Sequence, residues 1–337
     1  MDWIESLALG VVQGLTEFLP ISSDGHLNIT QLGFERLTGK PTSAADKIFF
    51  DVMLHVGTLL AIVVHYRRQV LDGAKGLVSD PVELPAPYRR SAVIRTGILA
   101  FIATLPLIPD KLFFMKLIEE AFQSLTFTGV GFLITAGILL LTIRLKGGHK
   151  GPAETSWLDA LLVGVAQMFA PLPGVSRSGL TISAALALGF SKTWAVNFSL
   201  MMAVPAILGA TAFELRKVDP ATLTGDRVAQ IVASAALAGA IGYLAIVWLL
   251  RLVRSGRLWD FSVYLILLGI GLIVLDQTQG RRPDARPAQA LDRSVWRFDA
   301  WKGDRPSLTG VVEPLARAVP AGQRAGHSSV GGSINGR

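Results

Sequence analysis

Residues 3–27 and 157–181 are two copies of one interrupted apolar segment, and no other feature limits the fold as much. The second copy aligns on the first without gaps at a constant offset of 154. Trp3, Leu7, Gly10, Val11, Gln13, Ser22 and Gly25 recur as Trp157, Leu161, Gly164, Val165, Gln167, Ser176 and Gly179. Each copy begins as an apolar helix and breaks near its middle, at FLPISSDGH and at PLPGVSRSG. Proline stops a helix because it lacks an N–H and clashes with the preceding turn. The hydroxyls and glycine that follow suit a turn and a fresh helix start.

These breaks lie in a chain that reads as a membrane protein. Of its 337 residues 51% are hydrophobic and only 17% charged, and its mean hydropathy is +0.47. A soluble domain carries about a quarter charged residues. Six stretches, roughly 46–66, 92–109, 124–145, 193–213, 227–251 and 260–276, are long enough to cross a hydrocarbon core of about 30 Å. Irregular backbone at that depth persists only where protein buries it or water reaches it. The two broken segments are therefore expected to be re-entrant helix–loop–helix hairpins. After a six-residue slip Phe50, Met53, Val56 and Leu60 align with Phe198, Met201, Val204 and Leu208, and three spans follow each copy. Three is odd, so the second half enters the membrane upside down.

The predicted fold is an all-α polytopic membrane protein. It has an inverted-topology repeat of six transmembrane spans plus two re-entrant hairpins. The halves run over about 3–145 and 157–276, and the two broken loops meet near the midplane. The membrane domain covers 1–276. From Arg281 to Arg337 there are ten basic and five acidic residues, which carry +5 of the total +7. Residues 277–337, rich in Pro, Gly, Ala and Arg, are expected to be a disordered basic tail. Asp2 and Glu5 stand where a cleavable signal peptide would be basic, so none is expected. The absence of cysteine excludes disulfides, thiolate metal sites and a cysteine nucleophile. Basic residues favour the side of the 67–91 loop, which the positive-inside rule makes cytoplasmic, with both termini outside.

The first break places Glu17, Ser22, Ser23, Asp24 and His26 inside an apolar region. An ionised side chain at the bilayer centre costs about 2.5–3.5 kcal/mol even on the lenient insertion scale. Glu17 thus calls for a wet cavity, a cation or a basic partner. Gln13 shares its helix face at i, i+4. Ser22 and Asp24 suit helix capping. In the second break Arg177 stands where the first has Ser23, among Ser176, Ser178 and Thr181, with Gly174 and Gly179 leaving the backbone open. An arginine, hydroxyls and a helix N-terminus make a phosphate or carboxylate site, unless Arg177 only pairs with Glu17. One copy carries acid–base, metal and nucleophile residues and the other carries anion binders, which together describe phosphoryl transfer.

Two motifs then resemble a known family, the bacterial undecaprenyl-diphosphate phosphatases or bacitracin-resistance proteins. One is [E/Q]-x-x-x-E followed by P-x-S-S-x-G-H, at Gln13–Glu17 and Pro20–His26; the other is P-G-x-S-R-S-x-x-T, at Pro173–Thr181. The resemblance covers residues 1 to about 276. Gln13 takes the glutamine option of its motif, and Asp24 stands where some relatives have Thr. The resemblance implies hydrolysis of undecaprenyl diphosphate to the monophosphate and phosphate, dependence on a divalent cation (Mg or Ca), and bacitracin resistance. It also implies the bacterial plasma membrane, with the site open to the outer face. Glu17, helped by Gln13, would hold the cation. Arg177 would neutralise the phosphoryl group. Ser23 would attack with His26 as general base, or His26 would send water directly. Ser22, Gly174, Ser176, Ser178 and Thr181 would bind the diphosphate. The expected partners are a polyprenyl diphosphate lipid and the membrane; no nucleic acid is expected, and a homodimer is left open. The competing reading is a transporter or flippase for a phosphorylated lipid, which also uses inverted repeats and broken helices.

Overall fold

The computed structural model describes residues 2–79, 92–108, 121–122, 124–216 and 223–278. The chain divides into two units, Met1–Arg282 and Pro283–Arg337. The second unit lies outside the described residues. So does the tail expected over 277–337, apart from Gln277 and Thr278, which complete the last helix.

Among the described residues there are ten α-helices and no β-strand, only an isolated bridge between Lys150 and Phe190. In the first half they are α1 (Trp3–Thr16), α2 (Ser23–Thr38), α3 (Ala44–Ser79), α4 (Ala92–Thr104) and α5 (Leu125–Leu141). In the second they are α6 (Trp157–Gln167), α7 (Arg177–Ala187), α8 (Lys192–Leu215), α9 (Gly225–Ser255) and α10 (Asp260–Thr278). Both copies of the repeated segment begin at a capped end. Asp2 accepts the Glu5 N–H at 2.8 Å, and Ser156 with Asp159 forms a capping box.

Among the described residues five helical segments are long and apolar enough to cross a membrane: Asp46–Gln69, Leu125–Arg144, Lys192–Leu215, Gly225–Ser255 and Asp260–Thr278. Of the sixth expected span, 92–109, residues 92–107 are helical and residue 109 lies outside the described residues. Its helix passes into a 3-10 turn at Leu105–Leu107, where Pro106 cannot continue the α-helical ladder. The repeated segments are amphipathic in the sense opposite to a soluble protein. Helix α1 exposes Leu7, Val11 and Leu15 and buries Gly10, Gln13 and Gly14; α6 exposes Leu158, Leu162 and Val165 and buries Gly164 and Gln167. Apolar residues outside and polar ones inside is the arrangement a bilayer demands. The chain is a multi-pass membrane protein.

The packing repeats as the sequence does. Helix α1 packs on α9 as α6 packs on α4, and α3 packs on α9 as α8 packs on α4. Two further contacts, α3 with α8 and α5 with α10, join equivalent helices of the two halves. The repeat mates Gly10 and Gly164 make the same close approach. A Cβ on Gly10 would lie 2.7 Å from the Ser234 carbonyl oxygen, and one on Gly164 2.3 Å from that of Ala103. This packing brings the two broken loops together: the Ser178 hydroxyl donates to the Leu19 carbonyl at 3.0 Å.

Candidate active site

The two loops enclose a cavity of about 250 Å³ lined by Glu17, Ser22, Ser23, Asp24, His55, Gln167, Ser176 and Arg177 on its polar side. Its apolar side includes Val52, Leu107, Ala170, Pro171, Ala206, Ile207 and Ala210. Glu17 closes the end of α1 and is the hub. Arg177, the first residue of α7, donates to Glu17 Oε1 at 2.6 Å. The Ser23 hydroxyl donates to Oε2 at 2.7 Å, and the Gln13 amide donates to the same oxygen at 3.1 Å. His55 Nε2 lies 3.3 Å from Oε2 and 3.9 Å from Asp24 Oδ1. A carboxylate and a guanidinium at membrane depth thus neutralise each other, and the remaining acceptor capacity of Glu17 is filled by donors.

The expected residues separate into two groups. Glu17, Ser22, Ser23, Ser176 and Arg177 line the cavity. Ser178, Thr181 and Gly174 do not. Each is engaged with protein. Thr181 meets the Ser199 hydroxyl at 2.6 Å, and Ser178 is bonded to Leu19 across the loops. The Gly174 carbonyl accepts from Thr135 at 2.9 Å, while a Cβ on Gly174 would lie 2.2 Å from the Thr128 carbonyl oxygen. Gly174, with φ 86, is there because α5 leaves no room for a side chain. Ser22 is the one non-glycine residue with positive φ among the described residues, at φ 69 and ψ 99. Backbone in such a region costs about 1–3 kcal/mol.

His26 is not among the lining residues either. Its Nδ1 lies 2.7 Å from the Ser22 carbonyl oxygen and its Nε2 lies 2.7 Å from the Tyr264 hydroxyl. A carbonyl can only accept, so Nδ1 carries the hydrogen; the neutral ring's lone pair is on Nε2 and receives the Tyr264 hydroxyl. In this geometry both ring nitrogens of His26 are engaged by Ser22 and Tyr264 rather than by Ser23. His55 was missed by the sequence reading. It sits 29 residues further on, inside the apolar span of α3. An ionisable residue within a span is itself a functional signal, and that rule would have found it.

The bacitracin resistance protein BacA family matches residues 6–271. The chain is a member of the BacA family. Similar curated proteins are undecaprenyl-diphosphatases. That of Carboxydothermus hydrogenoformans is 36% identical over 277 residues, covering 82% of this chain and 98% of the relative. That of Korarchaeum cryptofilum is 38% identical over 278 residues, covering 82% and 100%. That of Syntrophotalea carbinolica is 37% identical over 269 residues, covering 80% and 97%. The BacA match spans both broken loops and stops inside α10.

In this BacA-family chain the expected cation ligands are Glu17 and Gln13. Both Glu17 oxygens already accept from protein donors, with the Arg177 guanidinium at 2.6 Å. Among the described residues no group of three or more His, Asp or Glu side chains is placed to hold a metal. Gln13 Oε1 is buried and makes no hydrogen bond within the protein, but one amide oxygen is far from the six or more oxygens of a hard-cation site. These residues do not fit a resident cation.

Proposed function

We propose that the chain hydrolyses undecaprenyl diphosphate to undecaprenyl phosphate and inorganic phosphate. This returns the lipid carrier to cell-wall synthesis and gives resistance to bacitracin. The observation that carries the reading is the meeting of Ser23, Glu17 and Arg177 in one cavity, drawn from two loops that lie 154 residues apart. The BacA-family match and the undecaprenyl-diphosphatase relatives support it.

The chemistry follows from the hydrogen bonds. An incoming diphosphate offers the planar Arg177 guanidinium a bidentate, charge-assisted partner in place of Glu17. Freed from that partner, Glu17 accepts the Ser23 proton along the existing 2.7 Å bond. Ser23 Oγ attacks the terminal phosphorus, the bond to the bridging oxygen breaks, and undecaprenyl phosphate leaves with that oxygen. Water then cleaves the phosphoserine, and Ser23 recovers a proton through Glu17. Arg177 and Ser176 hold the phosphoryl oxygens, where positive charge is most effective in a dry site. The apolar side of the cavity receives the first carbons of the prenyl chain. The expected divalent cation is assigned to the diphosphate itself, entering with the substrate.

The remaining assignments follow the same reading. Residues 1–276 form the phosphatase domain. The hairpins α1–α2 and α6–α7 are re-entrant, α4 with its 3-10 turn completes a sixth span, and the halves have inverted topology. The site opens to the outer face of the cell membrane. The test is phosphate release in detergent by purified protein given undecaprenyl diphosphate and Mg²⁺. A phosphatase turns over without a sealed membrane. Release that occurs only in vesicles with two compartments, or not at all, would favour the flippase reading.

A further inference from the structure

The strained residue Ser22 and His26 are connected. Ser22 has φ 69 and ψ 99, whereas its repeat mate Ser176 has φ −81 and ψ 117, which any residue adopts. Both serines cap the next helix in the same way, accepting the N–H of Gly25 or Gly179. Both carbonyls also accept the first backbone bond of that helix, from the N–H of His26 at 3.3 Å or of Leu180 at 2.9 Å. What differs is the side chain four residues on. In the first copy the His26 imidazole adds a 2.7 Å bond to the Ser22 carbonyl; in the second Leu180 has no donor to add. The strained peptide occurs where the extra donor is, and the relaxed one where it is lacking.

The imidazole is itself held from outside. Tyr264 of α10 donates its hydroxyl to Nε2 at 2.7 Å and stacks on the ring at 5.7 Å between centroids, 16° from parallel. Phe132 of α5 covers another side of the ring at 5.1 Å. Ser22 is joined directly to Ser23, whose hydroxyl must reach both Glu17 and the substrate phosphorus.

We propose that His26 and Tyr264 are positioning residues that clamp the Ser22 peptide and thereby aim Ser23. The link runs from the Tyr264 hydroxyl through the imidazole to the Ser22 carbonyl and on to the Ser23 backbone. His26 touches neither the phosphate nor the Ser23 proton. Tyr264, on the last helix and 238 residues away in sequence, contributes to the aim of Ser23. This rests on the phosphatase reading for its consequence but not for its geometry.

The experiment has a structural arm and a kinetic arm. Protein labelled with ¹⁵N-histidine is studied by NMR in micelles, with the His26 signals assigned from their loss in His26→Asn. The clamp requires a neutral ring protonated on Nδ1. A ring protonated only on Nε2 overturns the proposal whatever the kinetics show. In the kinetic arm the side-chain amide of His26→Asn can still donate to the Ser22 carbonyl but cannot act as a base. His26→Ala should lower kcat about a hundredfold, the scale of a roughly 1 Å misplacement of a reacting group. His26→Asn should recover to within about tenfold of wild type, and Tyr264→Phe should lose about three- to tenfold in kcat with KM unchanged. Phosphate release by folded His26→Asn no faster than by His26→Ala would overturn the clamp and restore His26 as the base. If His26→Asn does not fold, Tyr264→Phe decides: wild-type kcat there overturns the proposal. No turnover by wild type in any arm counts against the phosphatase reading alone, and the tautomer result still judges the clamp.

Discussion

Removing Arg177 should destabilise the protein as well as inactivate it, and removing Glu17 at the same time should restore the stability only. Glu17 is 3% exposed and Arg177 18% exposed, and they meet at 2.6 Å. Deleting one partner of a buried pair costs about 3–5 kcal/mol because the other charge is stranded. In Arg177→Met the stranded group is Glu17, which keeps Ser23, Gln13 and His55 around it. That compensation places the loss near the lower end, about 3 kcal/mol. In Glu17→Gln the stranded group is Arg177, which borders the cavity and can be hydrated, so the loss is about 1–2 kcal/mol. The double variant strands nothing and should lie within about 1 kcal/mol of wild type, a coupling of about 3–5 kcal/mol. Equilibrium unfolding in mixed micelles measures the three stabilities, and phosphate release measures function. All three variants should lose at least about a hundredfold in rate, the scale for a charge-stabilising group. Additive stability losses, or an Arg177→Met protein as stable as wild type, would refute the claim that this pair is what lets Glu17 remain charged at membrane depth.

Other outcomes follow from the same geometry. Ser23→Ala should abolish phosphate release and any acid-stable phosphoprotein; near wild-type turnover would remove the covalent route in favour of direct attack by water. EDTA should stop turnover, yet calorimetry should find no tight Mg²⁺ or Ca²⁺ binding to the protein without diphosphate; tight binding would return the cation to Glu17 and Gln13. Gly164→Leu should lower the yield of folded protein and destabilise it by at least about 1–3 kcal/mol, since its Cβ would start 2.3 Å from the Ala103 carbonyl oxygen of α4. Unchanged unfolding would mean that the α4–α6 contact is not that close. Deleting residues 281–337 should leave phosphate release intact, and a large loss would give the tail a role.

The repeat made much of the site legible in advance. Two segments that align at an offset of 154 must find equivalent places in the packing, so Ser23 and Arg177, which are repeat mates, belong in facing loops. Glu17 could be read for a related reason: a carboxylate in an apolar segment requires a partner, and the second loop supplies one cation. A hydroxyl looks the same in sequence whether it faces a cavity or a carbonyl, so the surroundings of Ser178 and Thr181 were not legible in advance. Ser178 faces Leu19 and Thr181 faces Ser199. Hydropathy also does not register that Pro106 changes the helix type within the stretch expected as a sixth span.

By itself, then, the sequence determined a membrane-embedded helical repeat with two interrupted segments, and the chemical character of each interruption. Those properties depend on composition and spacing along the chain, which hydrophobicity and symmetry read directly. Only the tertiary structure decided which nitrogen of which histidine faces what. His26 is close to Ser23 in sequence, but the rise of one helical turn directs its Nδ1 back to the Ser22 carbonyl, and the packing of α10 brings Tyr264 to its Nε2. His55 is remote in sequence, but α3 delivers its Nε2 to within 3.3 Å of Glu17. Hydrogen bonds are directional over a few tenths of an ångström, and directions of that precision are set where helices cross.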